Sequence, residues 1–326
     1  MTDPAAKEMR MNTPDALTVR PCVRDDLEIL EQWRTVEPVE WVDSTRLHED
    51  MASGNYRFEW TWLAERAERA GRPVGRAVWW GRSDATSPVT LDCLSVAPDE
   101  ERPDDVGAAL VGAARAAFDH SIALEFNVDV PVGNSMDDSL PRALAWRASA
   151  AYGGGFTRTT ERVSFARTAD APQPETSTRL HFSAGTDAEF LEVFEAVAAG
   201  SLDSHTREMV AEHGVAALAA DDLVFYGSLP GRRESWQIAG RLDGTTVGFV
   251  VPTRNAYDAA ISYLGVLPEH RGQGYVDDLL SEMVRIHHDD GQHRIVGTTD
   301  AANAPMRAAF ERAGFVVTRT RIVHAG

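Results

Sequence analysis

A chain of 326 residues, 43% of them apolar, is long enough to bury two ordinary cores, so two domains is the default expectation. A formal charge of −18 argues against a nucleic-acid or anionic-membrane surface, both of which need basic patches, and mildly favours cationic acceptors such as amines. No run approaches the ~18 apolar residues of a membrane span, and residues 1–15 lack the apolar stretch of a secretory signal, which points to a cytoplasmic protein. Cys22 and Cys93 fall in expected strands and read as buried free thiols, and no metal-ligand spacing occurs.

Residues 1–15 are expected to form a flexible tail. Leu17–Pro21 reads as a strand, and Asp25–Trp33 as a helix with an acidic first turn. The same arrangement returns later, with a strand over Thr178–Phe182 and a helix over Asp187–Val197. Two further correspondences keep this order: Val96-Ala-Pro-Asp matches Val266-Leu-Pro-Glu, and Gly155-Phe156 matches Gly314-Phe315. Three matches at a near-constant interval indicate a duplicated domain. Thr168-Ala-Asp-Ala-Pro-Gln-Pro-Glu-Thr-Ser is polar and proline-containing, as linkers are. The expected plan is a tail (1–15), a first domain (16–167), a linker (168–177) and a second domain (178–326).

Trp33, Trp41, Trp60, Trp62, Trp79, Trp80 and Trp146 all fall in the first half, and Trp236 alone in the second. Core packing is the favoured reading, because tryptophan mainly contributes buried area; an aromatic wall for an organic cation is the alternative. In the second half, Leu202–Ala220 makes one or two helices, and its His205 and His213 receive no role. Asp243-Gly244 turns a hairpin.

The richest stretch runs from Ala259 to Asp290. Ile261, Tyr263, Leu264 and Val266 form a strand stopped by Pro268, and Val276, Leu279, Leu280, Met283, Val284 and His287 recur at helical spacing up to Gly291. Between them lies Arg271-Gly272-Gln273-Gly274, where glycines let the backbone approach a ligand and the first helical N–H groups have no intrahelical partners. Such a turn suits a pyrophosphate, although it is also useful with no ligand at all. Arg294–Thr299 then reads as a strand, and a helix opened by Asn303-Ala-Pro-Met306 ends at Ala313-Gly314-Phe315.

The order Pro-Glu-His-Arg-Gly-Gln-Gly-Tyr followed by Asn-Ala-Pro-Met-x-x-x-Phe-x-x-Ala-Gly-Phe resembles the GNAT superfamily of acyl-CoA-dependent N-acyltransferases, over roughly Thr178 to the C-terminus. The resemblance implies an α/β (α+β) protein with two GNAT folds in tandem, each a mixed, mostly antiparallel sheet flanked by helices. The tandem plan is similar to that of mycothiol synthase. The implied co-substrate is acetyl-CoA, with no metal and a small-molecule amine as acceptor, in a monomer or homodimer. Leu264 and Val266 match the backbone positions that hold pantetheine and polarise the thioester. Arg271, Gly272, Gln273, Gly274 and Tyr275 match the pyrophosphate turn. Asn303, Met306 and Phe310 match the helix along the pantetheine arm, although Asn303 also suits an N-cap. Val276 stands where the family prefers Gly or Ala. Phe310 stands where many members carry a tyrosine thought to protonate the thiolate.

Asp258 is the candidate base, or else a solvated residue at the start of its strand; Tyr263, with Tyr257 and Tyr275, could replace the missing acid. The first copy has lost both glycines of its turn. There Pro103 contributes no N–H, and Asp104 and Asp105 put carboxylates where a pyrophosphate would sit, so the first domain is expected to be a scaffold. A mycothiol-synthase-like acetyltransferase and a non-catalytic acyl-CoA-binding protein are the alternatives.

Overall fold

Strands set by two-residue alternation and helices set by a 3.6-residue period follow one another in the same order in both halves of the chain. The computed structural model describes residues 16–326 apart from 35–37, 40–41, 70, 134–138 and 256, so the expected tail and Trp41 lie outside the described residues. The chain divides into two units, one of Met1–Thr159 with Ile322–Gly326, the other of Thr160–Arg321.

The first unit runs β1 (Leu17–Pro21), α1 (Leu27–Gln32), α2 (Ser44–Ser53), β2 (Thr61–Arg66), β3 (Gly75–Trp80), β4 (Thr90–Val96), α3 (Pro103–Ala117), β5 (Glu125–Pro131) and α4 (Ser139–Gly153). Its strands lie in sequence order. All neighbours are antiparallel except β4 and β5, which pair in parallel at Thr90↔Glu125 and Leu91↔Phe126. Pleating sends Ala77 and Trp79 of β3 to a core with Val106 and Leu110 of α3 and Trp146 of α4, and sends Val78 to a second core with Leu30 and Leu47.

Among the described tryptophans of this unit, Trp33, Trp60, Trp62, Trp79 and Trp146 are buried. The cations over their rings are the chain's own: Arg57 stands 4.0 Å from the Trp60 centroid, Arg147 4.2 Å from Trp146 and Arg76 5.5 Å from Trp33. Core packing is thus what they do. At the α3 N-terminus, Pro103 opens the helix with Asp104 and Asp105 in its first turn. The Glu100 carboxylate accepts from the Arg102 N–H at 3.1 Å and from Arg66 at 2.9 Å, so a side-chain anion already occupies the approach to that helix.

The second unit opens with β6 (Arg158–Thr168), most of which it holds, and continues β7 (Leu180–Ala184), α5 (Asp187–Ala198), α6 (Ser204–His213), α7 (Val215–Ser228), β8 (Gln237–Arg241), β9 (Thr246–Arg254), β10 (Ala259–Val266), α8 (Tyr275–Asp289), β11 (Arg294–Asp300) and α9 (Ala304–Arg312). The last strand, β12 (Val316–Ala325), ends the chain. Strand order here is β6-β11-β10-β9-β8-β7, antiparallel except for β10 with β11. One face packs Leu279, Leu280, Met283 and Val284 of α8 with Phe310 of α9, and the other packs Phe190 and Phe194 of α5 with Phe249 and Trp236. Each unit is a mixed, mostly antiparallel α/β sheet flanked by helices, with its single parallel pair between equivalent strands.

The division falls earlier than the polar segment 168–177. Arg162 to Thr168 pair with Asp300 to Arg294 of β11, so this strand belongs to the second unit's sheet, and the polar segment is the irregular stretch that follows it. The last five residues, Ile322–Gly326, belong with the first unit. Leu202–Ala220 proves to be two helices that extend to Ser228, broken at Gly214, whose φ of 84° ends α6. Among the described residues, no helix is long and apolar enough to cross a membrane.

Candidate active site

The opening in the second unit is made by two neighbouring strands that part company. β10 and β11 pair only at Ala259↔Ile295 and Ala260↔Val296, while β10 stays paired to β9 as far as Val266↔Gly248. The ladder on the β9 side shifts between Ile261 and Tyr263, opposite Pro252, which has no N–H to give and so favours a bulge there. Ser262 is the extra residue, its hydroxyl 2.5 Å from that of Thr253. The parted strands leave a cavity of about 530 Å³ within this unit.

At one end of the cavity sits the basic glycine turn. Gly272 and Gly274 both hold left-handed φ, 74° and 75°, on either side of Gln273. A Cβ on Gly272 would meet nothing within 4 Å, so these glycines serve backbone direction and open approach, not packing. The N–H groups of Gly272, Gln273, Gly274, Tyr275 and Val276 have no acceptor among the described residues, the nearest ladder bond being Asp277 N–H to the Gly274 carbonyl at 3.1 Å. Such a run of unpaired donors at the start of a 15-residue helix is a cradle for an anion.

Arg271 does not point its charge into that cradle. Its guanidinium donates to the carbonyls of Val266 (3.1 Å), Gly200 (2.5 Å) and Val197 (3.4 Å), tying the turn to the end of α5. Arg179 braces the turn from outside, donating to the carbonyls of Gln273 (2.9 Å) and Gly274 (3.3 Å) and pairing with Asp278. Gln273 is exposed and, unlike Gly272, Gly274, Tyr275 and Val276, does not line the cavity.

Along the parted edge, the Leu267 N–H bonds the Val247 carbonyl of β9 at 2.8 Å. Alternation therefore turns the backbone groups of Leu264 and Val266 away from β9 and toward the opening. Asn303 caps α9 by accepting from the Met306 N–H at 3.3 Å, which commits its oxygen and leaves its amide N–H₂ at the cavity wall. Met306 and Phe310 line the same wall. Phe310 is stacked on Phe165 at 4.8 Å and lies over Gly297, where any Cβ would come within 2.6 Å of its ring. It is a packing residue with no proton to give.

The other end of the cavity is built by α6, α7 and the loop before them. Leu218, Asp222 and Tyr226 of α7 face inward at i, i+4 and i+8, together with Asp203, His205, Thr206 and Arg162. Asp203 is committed: its carboxylate caps α6 through the Thr206 N–H (3.0 Å) and meets Arg162 at 3.4 Å. Asp222 has no donor among the described residues, and burial, then Asp221 and Asp203, push its carboxyl up to about 6. Tyr226 stacks on Tyr263 at 5.1 Å, and burial together with Asp222 raises both phenols, keeping them protonated.

Tyr263 and Tyr275 both line the cavity. Tyr257 is 77% exposed and outside the cavity. Asp258 is outside too. Its carboxylate is paired with Arg294, and its N–H bonds the Asn255 side chain at 2.8 Å, so it finishes a turn instead of facing the opening. The uncommitted carboxylate the structure brings to the cavity is Asp222, and the sequence carried a signal for it: it follows Leu218 at i+4 in an otherwise apolar helix, on the face that Leu218 buries. Among the described residues, no group of three or more His, Cys, Asp or Glu could hold a metal ion.

Residues 203–315 match the model of the acetyltransferase (GNAT) family. No curated protein matches the sequence. Among solved structures, a GCN5-related N-acetyltransferase from Sphaerobacter thermophilus is similar over 95% of this chain and 95% of its own, at 17% identity and a TM-score of 0.57. A glucosamine N-acetyltransferase region of a fungal multi-domain GH3 β-N-acetylglucosaminidase covers 96% of this chain and 38% of its own, at 13% identity and a TM-score of 0.53. A tandem GNAT protein from the clavulanic acid biosynthesis pathway covers 95% and 98%, at 17% identity and a TM-score of 0.48. For the first two, at these identities, the likeness is one of fold.

Proposed function

We propose that this chain, a member of the acetyltransferase (GNAT) family by its residues 203–315, transfers an acetyl group from acetyl-CoA to the amine of a small molecule by direct attack in a ternary complex. The observation that carries this reading is the run of five N–H groups from Gly272 to Val276 without an acceptor among the described residues, four of these residues lining a cavity of about 530 Å³. The turn fits a pyrophosphate: its glycines leave room, its donors are unspent, and the dipole of α8 favours negative charge. Acetyl-CoA, when bound, supplies the thioester.

The chain's own residues then divide the remaining tasks. Gly272 to Val276 hold the diphosphate, and the outward backbone groups of Leu264 and the Val266 N–H, with the Asn303 amide, steer the pantetheine arm along the gap, the Val266 carbonyl being taken by Arg271. Those backbone dipoles are also fixed in place before reaction, which is what stabilising a developing oxyanion requires. Tyr263 lines the cavity and keeps its phenol protonated, which supports it as the group that gives the sulfur its proton, a role that Phe310 cannot take.

The test is release of CoA thiol from acetyl-CoA across a panel of primary amines, amino sugars and peptide N-termini, alongside calorimetric titration with CoA. Binding with turnover of at least one amine class supports the reading. Binding without turnover of any would make the chain an acyl-CoA-binding protein, and no binding would end the proposal.

A further inference from the structure

The acidic end of the cavity is not needed to hold acetyl-CoA and repels it. Its geometry asks for something positive. Around Asp222 stand Asp221 and Tyr226 on the same helix, Asp203 and His205 from the loop and helix before it, Tyr263 from β10 and Arg162 from β6. Of these, Arg162 is the one fixed cation, and it is already shared between Asp203 (3.4 Å) and Asp300 (3.6 Å). Arg271, the other cation on the cavity wall, spends its donors on three carbonyls. The Asp222 carboxylate is therefore half-buried, flanked by like charge and unserved by any donor among the described residues. An unserved carboxylate in that position destabilises the empty site and is relieved by a ligand that brings its own N–H groups and positive charge.

We propose, resting on the acetyl-transfer reading above, that Asp222 is the catalytic base of this site and the residue that selects its acceptor, which enters as an alkylammonium with an apolar or aromatic flank against Leu218, Tyr226 and Tyr263. The step balances as follows. Asp222 takes one proton from the ammonium, and the freed amine nitrogen attacks the thioester carbonyl carbon. The C–N bond forms, and the C–S bond breaks with its electron pair going to sulfur. The second nitrogen proton leaves with the thiolate as CoA thiol, through the Tyr263 hydroxyl, and Asp222 returns its proton to solvent. A carboxyl that titrates near 6 is matched to this duty: ionised at neutral pH, yet basic enough to accept a proton from an amine desolvated beside it.

The experiment uses the full chain, 2-phenylethylamine as acceptor probe and 2-phenylethanol as its neutral counterpart. The parent should bind CoA and turn over the amine, with kcat/KM falling below about pH 6 as Asp222 protonates, and the alcohol should compete poorly with it. Asp222→Asn should keep CoA binding and lose 10²- to 10⁴-fold in kcat/KM, about what a positioned base contributes, together with the acid limb of the pH profile. Asp222→Glu should restore part of the rate and the limb. If Asp222→Asn matches the parent in rate and pH profile, the assignment is overturned. It is equally overturned if the parent binds CoA but neither binds nor acetylates the amine. A parent that fails to bind CoA would instead overturn the reading on which this one rests.

Discussion

The pyrophosphate cradle makes a quantitative claim about Gly274. Replacing it by Asp puts a carboxylate at the mouth of the turn, where the only atom near the new Cβ is Arg179 Nη2, 3.9 Å away. A left-handed φ of 75° costs a non-glycine residue about 1 kcal/mol, less for Asp and Asn, but this cost falls on the free and bound states alike and leaves affinity nearly unchanged. The charge term differs between those states. A carboxylate about 5 Å from one unit of diphosphate charge at an effective dielectric near 20 repels it by roughly 3 kcal/mol, or about two decades in Kd. Arg179 is already paired with Asp278 and offsets only part of this. Gly274→Asn supplies the control, with the same backbone demand and the same volume but no charge. Calorimetric titration with CoA should show the Asp variant at least a hundredfold weaker and the Asn variant within about tenfold of the parent, with melting temperatures of the two variants close to each other. Equal losses in both would mean that the turn is sensitive to bulk alone and does not hold an anion. Parental affinity in the Asp variant would place the diphosphate elsewhere.

Calorimetry should also give one CoA per chain, since Pro103, Asp104, Asp105 and Glu100 fill the matching helix end in the first unit; a stoichiometry near two would refute this. Arg271→Met removes three carbonyl contacts, two of which tie the turn to the end of α5 and one to the end of β10, and should raise KM for acetyl-CoA and acceptor together; a change in one alone would show that the tie does not couple them. Expression from Thr178 onward deletes β6 and leaves seven paired residues of β11 as a bare edge, so that fragment should aggregate, and a soluble, active one would be unexpected. His324 is 2% exposed and burial lowers its pKa to about 4, so the folded state holds it neutral. Its contribution is complete above pH 6.5 and is lost as pH falls toward 4, by up to roughly 3 kcal/mol, and His324→Phe should flatten acid-induced loss of the first unit's stability over that window.

Elements whose pattern is local are legible in the sequence. The α8 periodicity, its Gly291 stop, the Asp243-Gly244 hairpin and the glycine turn depend on neighbours in sequence, and each stands where the residues put it. The repeat was legible for the same reason: a strand ending at Val96 or Val266 before proline, and a helix ending in a left-handed glycine at Gly155 or Gly314, are short-range signatures carried twice. Sheet membership is not local. The polar stretch after Thr168 announces a loop, but composition says nothing about which sheet the strand before it joins, and only the pairing with Arg294–Asp300 settles that.

The acceptor end was the least legible part, and the reason is geometric. Asp258 leads into the strand of the glycine turn, yet the opening lies further along that strand, past the Pro252 bulge, and the Asp258 carboxylate is paired with Arg294. Asp222 lies 50 residues before Gly272 in a helix whose apolar character spreads over more than one face, so no stripe marks its inner side. What betrays it is arithmetic on the helix itself: once Leu218 is buried, Asp222 and Tyr226 follow on the same face whatever their polarity. A carboxylate forced inward by its helix, with no cation of the chain spent on it, is the form a ligand-facing charge takes. Cationic side chains elsewhere in this unit, at Arg162, Arg179, Arg271 and Arg294, are all engaged within the fold. The one positive group still missing from the cavity is therefore the one the acceptor would bring.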